Sequence, residues 1–187
     1  MGMKEKSTAL NMFAIELQKF DWRQMECGCG ESAMHLPVKI AELVALDQDH
    51  AHGEAFTTSL HGHVLTGADG LVAASSAFLA VAMAALTEPL SEPARRETLG
   101  TILRILGSAT STEATGGPVS AFATECVDAV RQGQWLLYAE VMNGTSPAGV
   151  AYAFESLMLI EQDRKRLRAV QAAVEDRLPW DLKTEEI

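Results

Sequence analysis

Five histidines, His35, His50, His52, His61 and His63, fall in one stretch of the chain, and Cys27 and Cys29 stand just ahead of them. Imidazole and thiolate are the usual ligands of zinc, so metal chemistry would reside in this segment. The spacing argues against it. Cys27-Gly28-Cys29 has a single intervening residue, whereas a zinc knuckle takes about two to four. On a helix, His50 and His52 point about 200° apart, as do His61 and His63. The pairs that share a stripe, His50 with His61 and His52 with His63, lie roughly 16 Å apart along the axis, too far for one ion. His50 and Glu54 share a face at i, i+4 and read as a hydrogen-bonded pair. The expectation is no metal and no cofactor, with these residues as partly exposed polar groups beside a Phe56/Leu60 core stripe. The rival reading is a metal-dependent helical enzyme built on residues 27–63.

Other catalytic anchors are missing. The sequence holds no G-x-S-x-G, and Cys126 falls among the periodic apolar residues Phe122, Val130 and Leu137, the setting of a buried structural thiol. Gly67-Ala68-Asp69-Gly70 lacks the lysine and the preceding strand of a phosphate-binding loop. Asp47 and Asp49 are ordinary complements of a helix N-terminus.

The elements that carry these residues read as helices. Leu10, Phe13 and Leu17 set a first helix over 7–20. Ser32 as N-cap and Pro37 in the first turn open a second, which runs to about residue 46. A third covers 48–65, and 71–86, apolar on every side, is a helix buried between neighbours. Ser91 and Pro93 start a fifth, which Gly107 closes. Residues 108–117 (SATSTEATGG) are expected to form a mobile loop. Pro118 opens one long helix to about 143. Ser146-Pro147 begins another stretch that turns near Glu161–Asp163, and a terminal amphipathic segment reaches Leu178. No strand-length alternation of β-branched residues occurs. The fold class is all-α, an antiparallel stack of seven or eight helices in a single domain over 1–187. Helix pairs recur about every forty residues, the length scale of a short HEAT/armadillo-like solenoid.

Composition and charge narrow the function. Apolar residues make up 48% of the 187, enough for a core, and 25 acids against 15 bases leave a net charge of -10. Such a chain repels nucleic acid. The longest uncharged run, Gly70 to Thr87, is short and rich in Ala and Ser, so no membrane span is expected. Three cysteines, two of them separated by one residue, form no secreted disulfide framework, which points to the cytoplasm. Between Lys39 and Arg95 there is no Lys or Arg, while Asp47, Asp49, Glu54 and Asp69 contribute negative charge. One shared acidic face would suit a basic protein partner. Trp135, Tyr138 and Met142 recur at i, i+3, i+7, either as packing between two layers or as an exposed aromatic patch.

Asp21-Trp22 followed by Cys27 to Pro37 resembles the opening of a family of small bacterial HEAT-repeat-like proteins. Leu60-His61-Gly62-His63-Val64 and Ala73 to Leu79 resemble its next block, and Gln134 to Tyr138 is similar to a later one. The resemblance covers the first half of the chain. Cys27 and Cys29 depart from the family's aromatic-Gly context, and His61 and His63 replace Tyr and Asn. The resemblance implies a helical binding scaffold, in some members an immunity protein of a toxin system, and brings no catalytic residues. The expected function is a non-catalytic scaffold that neutralises a toxin or effector. Its partner-binding residues would be Asp47, Asp49, Glu54, His61, His63, Asp69, Trp135 and Tyr138.

Overall fold

The computed structural model describes residues 11–47, 53–67, 70–114 and 120–187, with 53–58 and 112–114 as backbone only. Among these residues the chain is all-helical. The α-helices are α1 (Met12–Lys19), α2 (Leu36–Val44), α3 (Gly53–Val64), α4 (Ala73–Ala85), α5 (Glu92–Ala114), α6 (Ala121–Gln132), α7 (Gln134–Asn143), α8 (Pro147–Ile160), α9 (Arg164–Ala173) and α10 (Trp180–Thr184). A 3₁₀ turn, Ala33–His35, leads into α2. No described helix is long and apolar enough to cross a membrane.

Local chemistry sets the helix starts. Asn11, Ser120, Ser146 and Asp163 each accept a backbone N–H from the first turn that follows. Pro37 and Pro147 occupy first-turn positions, where the missing N–H costs nothing. The break at Glu161–Asp163 falls where length alone suggested a turn. Ser32 begins the 3₁₀ turn rather than α2, and its hydroxyl donates back to the Arg23 carbonyl instead of capping the turn.

Two expectations about helix ends need correction. Gly107 does not stop α5, which continues to Ala114 through most of the stretch expected to be a loop. The hydroxyls of Ser108, Thr110 and Ser111 donate to carbonyls one turn back, so small polar residues stay helical without leaving their own groups unpaired. Residues 115–117 lie outside the described ones. The expected single helix over 118–143 is two, α6 and α7, divided at Gly133. A Cβ there would lie 2.9 Å from Met83 Cε, so the glycine lets the chain pass close to α4.

Packing follows a regular direction. Ser76 meets Glu125 near the starts of α4 and α6, and Met83 meets Gly133 at their ends, so the two helices run parallel. Likewise Glu92 meets Ser146 where α5 and α8 begin, and Gly100 meets Tyr152 further along both. Tyr138, midway along α7, meets Glu161 just past the end of α8, and Glu140, later in α7, meets Gly149 near the start of α8, which makes that pair antiparallel. Helix α4 packs against α1, α2, α3, α5 and α6, and its buried Ala, Phe, Leu and Val side chains surround it as expected. Phe78 and Phe154 are the largest wholly buried side chains. Cys126 is buried in the same core, and burial pushes its thiol up to about 12.

Candidate metal centre

The connection between α1 and α2 is held by backbone. Cys27 N–H donates to Glu31 O, Gly30 N–H to Cys27 O at 2.8 Å, and Ala33 N–H to Met25 O. Gly30 takes a left-handed conformation (φ 83°), which a residue with a side chain adopts at a cost. Trp22 anchors the segment's start, its indole N–H donating to Leu17 O. The result is a tight Cys-Gly-Cys-Gly turn that presents both sulfurs on one side.

The far end of α3 docks onto this turn. Gly28 N–H donates to His63 O at 2.8 Å. A Cβ on Gly28 would collide with the Leu65 carbonyl oxygen, so only glycine permits the approach. Ser75 fixes the other side of the α3 terminus, donating to Val64 O at 2.6 Å while accepting from Val72 N–H.

These contacts bring four ligand atoms together. Cys27 Sγ lies 3.4 Å from His35 Nε2 and 3.4 Å from His63 Nδ1, and the two ring nitrogens are 2.9 Å apart. With Cys29 Sγ, all lie within 4.8 Å of one another. A tetrahedral zinc ion with the usual bond lengths sets S···N at about 3.6 Å and N···N at about 3.3 Å. The Cys27, His35 and His63 atoms are therefore within roughly half an ångström of what zinc demands, and Cys29 Sγ needs to close by no more than about 1 Å to complete the set. Two thiolates balance the charge of a divalent ion, and the imidazoles bind neutral, so the loaded site carries no net charge.

The electrostatics favour a neutral imidazole and resist a bare thiolate. Burial, then Lys39, then the neighbouring His35 hold His63 below its usual range, with Glu31 opposing. Burial pushes the Cys27 thiol up to about 11 in spite of the Cys29 backbone N–H directed at it, and that thiol donates to His63 O. A metal ion would have to displace this proton, as thiolate ligation always requires.

Four potential metal ligands of the His/Cys segment thus come together in a way that helical spacing did not indicate. Helical phase separated His61 from His63 correctly: His61 turns toward Thr101 of α5, its Nε2 3.5 Å from the hydroxyl. It said nothing of His35 or the cysteines, which reach His63 from outside the helix. The signal available in the sequence was Cys27-Gly28-Cys29-Gly30 itself, a turn able to aim two sulfurs together.

The expected partner-binding residues fall in different settings where they are described. Asp47 is exposed just beyond α2, whereas Asp49, Asp69 and the side chain of Glu54 lie outside the described residues, as do His50, His52 and the Phe56 side chain. His63 belongs to the metal set. Trp135 is 63% exposed, but Tyr138 is only 6% exposed, so the expected aromatic stripe is split between surface and core. Tyr138 donates to Glu161 at 2.6 Å because its side of α7 faces α8. Arg166 lies over the Trp135 ring at 5.3 Å and pairs with Glu161 at 3.0 Å.

No protein-family model, curated protein or solved structure matches this chain.

Proposed function

We propose that this chain is a zinc-binding helical protein in which Cys27, Cys29, His35 and His63 form a structural Cys2His2 centre. The convergence of these four ligand atoms within 4.8 Å carries the reading. Four protein ligands fill a tetrahedral site and leave no position for a reacting water, which favours a structural role over a metal-dependent enzyme. The ion would fasten the α1–α2 connection to the end of α3. Metal analysis of untagged protein, purified without added metal, is the test. One zinc per chain, lost from His63→Ala, is the expected result; metal-free protein, or zinc retained by that variant, overturns it.

A second reading concerns what the scaffold does. The parallel pairing of α4 with α6 and of α5 with α8 is the direction expected of stacked helix pairs and supports a HEAT-like solenoid. The net charge of -10 suits a basic protein partner such as a toxin or effector, which an immunity protein would cover. Exposed Trp135 and Met142, one above the other on α7, favour a contact surface there. Of the residues that depart from the resembled family pattern, Cys27, Cys29 and His63 belong to the proposed centre. Affinity capture from the source cell, compared with Trp135→Ala, tests this role. A one-to-one, salt-sensitive complex weakened by the variant supports it, and the absence of any specific partner removes it.

A further inference from the structure

The two sulfurs of the centre are unlike. Cys27 is buried among both histidines and the His63 carbonyl, whereas Cys29 is exposed. Zinc would hold both as thiolates at neutral pH, the nucleophilic form of the residue. Cys29 thus offers solvent a metal-held thiolate with a second thiolate within 4.8 Å. The turn closed by Gly30 N–H on Cys27 O keeps the two backbones near. Residues two apart, even fully extended, span no more than roughly 7 Å, close to the about 4.4–6.8 Å that a disulfide bridges.

Resting on the zinc reading, we infer that this centre is peroxide-labile: hydrogen peroxide oxidises Cys29, a Cys27–Cys29 disulfide forms, and the zinc is released. In the first step the Cys29 sulfur attacks one peroxide oxygen. The O–O bond breaks, hydroxide leaves, and Cys29 becomes a sulfenic acid. In the second step the Cys27 thiolate attacks the Cys29 sulfur, the S–O bond breaks, and a second hydroxide leaves. Two electrons pass from the sulfurs to the peroxide, and both hydroxides take protons from solvent to become water. The ion then keeps only His35 and His63 of its four ligands, too few to hold it. Thiols restore the site by exchange with the disulfide. Cys126, buried in the core, takes no part and serves as an internal control.

The test uses the full chain purified without oxygen, with its zinc content measured first. Hydrogen peroxide is then titrated in, released zinc is read with a chromogenic chelator, and the protein is weighed whole and as peptides. Expected is near-complete zinc release, the loss of two hydrogens confined to the peptide holding Cys27 and Cys29, and zinc uptake again after dithiothreitol. Cys126→Ala should behave the same, and Cys29→Ser should form no disulfide. Zinc retained under excess peroxide, or released with sulfinic acid and no disulfide, overturns the inference while leaving the zinc reading intact. Protein that holds no zinc before peroxide is added sinks both.

Discussion

His35 Nε2 and His63 Nδ1 stand 2.9 Å apart, one from the turn that enters α2 and the other from the last turn of α3. Without a metal, one ring must donate to the other, and charging both would set like charges in contact. That neighbour is among the causes that keep His63 below its usual range. With burial and Lys39, it biases His63 toward the neutral form that a metal takes, and the Cys27 sulfur stands 3.4 Å from each ring.

Removing a ligand should release the ion. Cys27→Ser and His35→Ala are each expected to weaken zinc binding by more than the 10–100-fold that even outer-sphere changes cost, roughly. Chelator should lower the melting temperature of the native chain and leave these variants unmoved. With free zinc about a thousandfold above its dissociation constant, the centre contributes about 4 kcal/mol. Calorimetric scans with and without chelator measure it.

Two glycines give opposite outcomes. Gly28→Ala drives a Cβ into the Leu65 carbonyl and should separate the Cys27 turn from α3, lowering both stability and zinc content. Gly62, on the exposed side of α3, has nothing within 4 Å of an added Cβ. Gly62→Ala should stabilise by about 0.5–1 kcal/mol through helix propensity and leave zinc unchanged. Denaturant titration with metal analysis distinguishes them.

Glu140 is a buried carboxylate held by one cation. Its Oε2 accepts from Arg95 at 3.0 Å, while Oε1 has no hydrogen-bond partner among the described residues. Arg95→Ala would leave the charge buried and unpaired, at about 3–5 kcal/mol. Replacing both partners with apolar residues, Arg95→Met with Glu140→Leu, should recover most of that loss. A double-mutant cycle in urea reads the difference, and equal losses in the single and double variants would show that the pair does not act as described.

The acid limb of stability should depend on Glu161. Burial would raise its pKa, but the Tyr138 hydroxyl, the Asp163 N–H and Arg166 outweigh burial and hold it below the ordinary 4.5. A carboxyl depressed in the folded state contributes stability that is complete above its unfolded pKa and fades as pH falls through the folded value. Glu161→Gln should therefore be less stable at neutral pH and flatten the pH dependence below about 4.5. Tyr138→Phe removes a hydrogen bond to a charged group and should cost about 1.5–3 kcal/mol. Unfolding followed across pH checks both.

The helices were legible wherever the cause was local. Pro37 and the apolar period placed α2, and a run apolar on every side placed α4, because each depends on residues within a few turns of one another; the α8–α9 turn followed from length alone. The errors arose where distant residues decided. Gly133, beside Met83 of α4, divides α6 from α7, whereas Gly107, with open space around it, lies inside α5. Trp135 and Tyr138 share a sequence stripe, yet α8 covers one and leaves the other to solvent.

The candidate centre divides in the same way. The residue types and the tight Cys-Gly-Cys-Gly turn belong to the sequence by itself, as do the all-helical class and the acidic balance. That His63 meets Cys27 was decided only in three dimensions. It depends on Gly28 N–H finding His63 O and on the absence of a side chain at Gly28, a contact between segments 36 residues apart that no helical period encodes. Metal geometry is set by distances between side chains from separate elements, and those distances exist only once the elements pack.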